Sequence, residues 1–161
     1  MQWLDIGHLK IFSMNLKDRI AEDMKVAMRA KDAPRLEVIR MLRAAIQRRE
    51  VDDRLELDDN DVLSVIQKMI KQGQDSISQF NHGNRPELAA KEQFGIGVLE
   101  TYLPEPLSDA ELDRLIDSAV EQTGATSLRD MGKVMGILKS QLAGRADMGS
   151  VSKRIKNRLG G

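Results

Sequence analysis

Apolar residues recur at three- and four-residue intervals along nearly the whole chain. That is the period of amphipathic helices, and no stretch alternates in the two-residue rhythm of a half-buried strand. Leu16, Ile20, Met24 and Met28 mark a first helix that Asn15 can cap. The KDAP step at 31–34 ends it, with Pro34 suited to the first turn of the next helix. Leu36, Ile39, Leu42, Ala45 and Ile46 form the second stripe, and the other faces of that helix carry Arg35, Arg40, Arg43, Arg48 and Arg49. Acid-rich residues 50–61 lead into a third helix starting near Asp58 or Asp59, where the helix dipole favours negative charge. Its stripe is Val62, Ile66, Met69, Ile70, Ile77 and Phe80, and it runs to a polar turn at 81–86. Pro86 opens a fourth helix through Leu88, Phe94 and Leu99 towards Tyr102.

The segment 102-YLPEPLSDAE-111 is the strongest boundary, because two prolines in three residues stop a helix and stiffen the connection. Ser108 and Glu111 are spaced as a capping box. Three short helices follow. The first uses Leu112, Leu115, Ile116 and Val120 and ends at Gly124; the second follows Ser127, uses Met131, Val134, Met135, Leu138 and Leu142, and ends at Gly144; the third follows Asp147 with Val151, Ile155 and Leu159. The expected fold is all-α: an N-terminal helical domain over 14–103 and a C-terminal three-helix bundle over 107–161. Residues 1–13 are expected to be an extension or a tag remnant, with Met14 as the working start, since the opening lacks the basic and long apolar regions of a signal peptide.

Composition narrows the chemistry. No apolar run approaches the roughly 20 residues that a bilayer span needs, so no membrane partner is expected. Cysteine is absent, which removes disulfides, thiolate metal sites and thiol nucleophiles together and points to the cytoplasm. The two histidines, His8 and His82, stand in no metal-ligand spacing, so no metal site is expected. Gly132-Lys133 ends like a phosphate loop, but Ser127 replaces the first glycine and no strand precedes it. Gly95 and Gly97 lack the third glycine of a dinucleotide fingerprint, because Glu100 occupies its place. The expectation is no catalytic residue and no cofactor.

Charge is segregated within a chain of zero formal net charge. Between 129 and 158 stand Arg129, Lys133, Lys139, Arg145, Lys153, Arg154, Lys156 and Arg158 against only Asp130 and Asp147, an excess of six positive charges. Such clustering is the footprint of polyanion binding. A helix C-terminus accounts for the residues from Lys153 onwards but not for the four before them. Gly132 and Gly136, four apart, notch one helix face for close approach by a neighbouring helix or by an incoming backbone. No aromatic residue lies beyond Tyr102, so this half has no platform on which single-stranded bases could stack. Folded RNA, held through phosphates and shape, fits better, and no DNA is expected.

The segment GKVMGILKSQLAGRADMGSVSKRIK, together with MKVAMRAKDAPRLEVIRMLRAAIQ, VLETYLPEPLSDAEL and LRDMGKVMG, resembles the stand-alone YqeY-like (GatB/YqeY) family of bacteria. Its last part is similar to the C-terminal tail of the B subunit of tRNA-dependent amidotransferases. The resemblance covers about residues 14–159. It implies a tRNA-binding accessory protein, acting beside an amidotransferase or another tRNA enzyme. It also brings a carbon–nitrogen ligase label with glutamine as amide donor, although the subunit's kinase-like catalytic domain and the amidase partner's machinery have no counterpart here. Lys133, Lys139, Arg145, Lys153, Arg154 and Lys156 are the candidate RNA contacts, and Gly132, Gly136 and Gly144 the close-approach glycines. The alternative is a protein-interaction adaptor without RNA, its arginine face at 35–49 docking an acidic partner.

Overall fold

A computed structural model of the chain describes residues 14–160. The expected extension over 1–13, with His8, lies outside the described residues. Those residues form helices joined by short turns and contain no strand. They fold into two compact units, with the boundary in sequence between Tyr102 and Leu103.

The N-terminal unit holds α1 (Leu16–Arg29), α2 (Ala33–Asp53), α3 (Asp59–His82) and α4 (Pro86–Glu100). Helix starts follow local chemistry. The Asn15 side chain accepts from the Asp18 N–H at 2.8 Å, Asp32 accepts from Arg35, and Asp58 and Asp61 cap each other's backbone in a reciprocal box. Each satisfies N–H groups that a helix start leaves unpaired. The core comprises Ile20, Ile39, Leu42, Ile46, Leu57, Val62, Ile66, Ile96, Leu99 and their neighbours. Two expected core positions are corrected. A four-residue step overshoots a full turn by about 40°, so Met28 has rotated out to 50% exposure and Ala27 takes its place. Phe94 is likewise 46% exposed, while Ile96 and Val98 turn inward. α4 runs as one helix through Gly95 and Gly97.

Gly73, buried in α3, allows α4 to come close: a Cβ there would stand 3.1 Å from Ile96 Cγ1. At the end of the unit, the buried Tyr102 hydroxyl donates to Asp23 at 2.7 Å. The Arg19 guanidinium lies 5.0 Å from the Tyr102 ring centroid and also donates to the Thr101 carbonyl. Burial and the Asp23 carboxylate raise the Tyr102 phenol well above its ordinary value, because both disfavour the phenolate.

The C-terminal unit holds α5 (Asp109–Thr123), a 3-10 turn (Leu128–Asp130), α6 (Met131–Leu142) and α7 (Met148–Gly160). The capping box of Ser108 and Glu111 forms as its spacing predicts. Hydrogen bonds donated by the Ser108 N–H and hydroxyl hold the Glu111 carboxyl below its ordinary value. Gly124 ends α5 at φ 63°, and Gly144 turns the chain after α6 at φ 71°, both in the left-handed region where glycine carries no Cβ penalty. Leu112, Ile116, Ala119, Val134, Leu138, Leu142, Val151 and Ile155 form one buried cluster shared by the three helices.

Candidate nucleic-acid interface

Because successive helical residues are about 100° apart, the inward positions of α6 fix what its outer face carries. Val134, Leu138 and Leu142 are fully buried. Opposite them run Gly132, Gly136 and Ser140, all exposed, with Lys139 along one edge and Lys133 along the other. A Cβ added at Gly132 or Gly136 would meet nothing within 4 Å. Among the described residues the two glycines therefore serve no helix contact, and they leave an uncovered strip of backbone between two lysines. Gly144 is buried and serves the turn into α7.

The basic residues of α7 divide by edge. Arg154 donates to Asp113 at 2.8 Å and also to Asp109, and Arg158 pairs with Asp117 at 2.7 Å. Asp109, Asp113 and Asp117 stand four apart on α5 and Arg154 and Arg158 four apart on α7, so the two rows form an ionic ladder between these helices. Lys153 and Lys156 lie on the outer face of α7, both exposed. Leu128 packs within 3.8 Å of the position a Gly160 Cβ would occupy, so α7 returns antiparallel to α6. With a rise of about 1.5 Å per residue, this brings Lys156 nearer than Lys153 to the Lys133 end of α6.

Arg145 points elsewhere. It is half-buried, and its Nε donates to the Glu105 carbonyl at 3.1 Å. Together with the bond from the Leu107 N–H to the Arg145 carbonyl, this fastens the α6–α7 turn to the segment entering α5. Of the six cationic candidates, Arg145 and Arg154 are thus engaged by the fold. Lys133, Lys139, Lys153 and Lys156 make no ion pair among the described residues. Lys133 acts at longer range, helping to hold Asp130 below its ordinary value after the larger effect of the Thr126 N–H.

Two features go beyond the sequence expectations. Ser140 extends the small-residue strip by one turn, which the repeat of glycine at 132 and 136 already signals. The acids of α5 do more than balance charge: their four-residue spacing matches that of Arg154 and Arg158.

Among the described residues no helix is long and apolar enough to cross a membrane. Comparison with known proteins adds relatives. A mitochondrial protein of Pyrenophora tritici-repentis, named for altered inheritance of mitochondria, is 37% identical over 145 residues, covering 88% of this chain and 80% of its own length. Proteins of the same name from Vanderwaltozyma polyspora and Candida glabrata are 29% and 35% identical, and the chain spans 64% and 55% of their lengths. These relatives are fungal and carry a mitochondrial designation, so they lend no support to the bacterial and cytoplasmic expectations. The family model described as Yqey-like protein matches residues 17–159, and with that match over nearly all of the described residues the chain belongs to the YqeY-like family.

Proposed function

We propose that the C-terminal unit binds folded RNA of the tRNA kind, as a non-catalytic accessory to an amidotransferase or another enzyme acting on tRNA. The observation that carries the reading is the set of four exposed lysines, Lys133, Lys139, Lys153 and Lys156, without ion pairs among the described residues, beside the open strip at Gly132 and Gly136. Lysine ammonium groups are strongly hydrated point charges on flexible stems, suited to following phosphates rather than reading bases. An uncovered glycine strip between them lets a sugar–phosphate backbone approach without displacing side chains. With no aromatic residue in this unit, contact falls on backbone and shape, which double-helical RNA offers across its shallow groove. No bond-making step is assigned to the protein. Its compartment is that of the RNA: the cytoplasm by the cysteine-free composition, or the mitochondrion by analogy with the relatives' names.

Salt titration tests this function. Four neutralised phosphates give log K against log salt a slope of roughly −2.8 to −3.6. Replacing Lys133, Lys139, Lys153 and Lys156 by glutamine is expected to flatten that slope in filter binding with total tRNA while the helical circular dichroism is unchanged. A slope that survives the four replacements, or tRNA held no better than a neutral polymer, overturns the proposal.

A further inference from the structure

The N-terminal unit carries a second surface, outside the proposed RNA site. Its α2 buries Ile39, Leu42 and Ile46, and the opposite face presents Met41, Ala44, Arg48 and Val51, spaced three, four and three residues apart. Met41 is 58% exposed and Val51 67%. That spacing is the seam of a helix prepared to pack against another helix, and it is about 17 Å long counted from Arg40 to Val51. One edge of the seam is basic. Arg40 and Arg43 stand along it, Arg43 also donating to Met24 Sδ at 3.0 Å, and with Arg48 they make no ion pair among the described residues, whereas Arg49, on the side towards α3, is engaged by Asp53 and Asp61. The other edge opens into an apolar groove of about 280 Å³ between α2, α3 and α4, lined by Val38, Met41, Met69, Phe94 and Ile96 among others.

We infer that the outer face of α2, with the adjoining groove at Phe94, docks an amphipathic helix of an acidic partner protein. The apolar stripe of that helix covers Met41, Val51 and the groove, and its carboxylates meet Arg40, Arg43 and Arg48. Three alternatives fit the surface less well. Antiparallel pairing with a second copy lays the basic edge against itself and brings Arg40 towards Arg54, while parallel pairing stacks Arg48 on Arg48; like charges in contact disfavour both. RNA would satisfy the guanidinium groups but leave Met41, Val51 and Phe94 without an apolar partner. A helix in a groove, read through anchors three and four residues apart, satisfies both halves of the surface.

Two synthetic helical peptides test this on the full chain. Both carry leucine at the seam positions of three heptads; one has glutamate along its flanks and the other lysine. The glutamate peptide is expected to bind at least about tenfold more tightly than the lysine peptide by fluorescence anisotropy, with Arg40→Glu plus Arg48→Glu reversing the preference. Val51→Asp is expected to weaken both. These side chains are exposed, so unchanged circular dichroism verifies that the variants fold. Equal binding of the two peptides, a preference that survives the arginine reversal, no binding of the glutamate peptide, or a dimer of this chain through α2 in light scattering each overturns the inference. The RNA proposal is untouched by any of these results, since its lysines lie in the other unit.

Discussion

Gly73 in the N-terminal unit and the pair Gly132 and Gly136 in the C-terminal unit sit in similar helical backbone and do opposite things. A Cβ at Gly73 would stand 3.1 Å from Ile96 Cγ1 and 3.2 Å from its Cδ1. At Gly132 and Gly136 it would meet nothing within 4 Å. Glycine inside a helix costs roughly 0.8–1 kcal/mol relative to alanine. In α3 that cost is offset by the packing of α4, and in α6 nothing among the described residues offsets it. The conspicuous glycine motif is therefore left to solvent or to a ligand, while the inconspicuous single glycine is the one that the helix contact uses.

The largest effect is expected where that contact is broken. Gly73→Leu must displace Ile96, itself only 4% exposed, and overpacking of this kind costs about 1–3 kcal/mol. Urea unfolding followed by circular dichroism measures it. A variant as stable as the parent would show that α4 yields freely and that Gly73 has no special part in the N-terminal core.

The opposite sign is expected in the other unit. Replacing both Gly132 and Gly136 by alanine is expected to raise stability by roughly 0.8–1 kcal/mol per site, since the added methyl groups enter open space and the helix gains propensity. If the strip receives RNA, the same variant binds tRNA more weakly. Stability up and affinity down in one variant is an outcome that a purely structural role cannot give. Stability up with affinity unchanged would remove the strip from the proposed interface and leave only the lysines.

Helical identity and helix starts are legible in the sequence because they depend on local chemistry. Asn15 and Ser108 cap where the sequence places them, and Asp58 caps within the acid-rich start, since each satisfies N–H groups a few residues away. Which residues line the core is legible only in part. A run of four-residue steps drifts around the helix, so the periodicity points to Met28 where the fold buries Ala27. Phe94 departs from expectation for another reason. Hydrophobicity alone does not say which side of α4 meets its neighbours, and the flat side formed by Gly73 decides that in favour of Ile96. At the candidate interface the excess of positive charge can be counted from the sequence, but not how it is used. Pairing depends on which edge of α7 faces α5, a tertiary fact that no count along the chain contains.

That division of charge gives the smallest effects and the sharpest discrimination between neighbours in sequence. Arg154 is engaged by Asp109 and Asp113, while Lys153 extends from the outer face of α7. The Arg154 side chain is 34% exposed and its partners more so, so solvent screening limits its contribution. Arg154→Ala is expected to lower stability only slightly, as screened ion pairs do, and to leave the salt slope for tRNA unchanged. Lys153→Gln is expected to leave stability within about 0.5 kcal/mol of the parent and to reduce the slope by roughly 0.7–0.9. Adjacent residues of the same charge then separate into one that holds the bundle and one that faces the ligand. A slope that falls equally in both variants would mean that the aspartates of α5 give Arg154 up when RNA binds, and the ladder would then belong to the interface rather than to the fold.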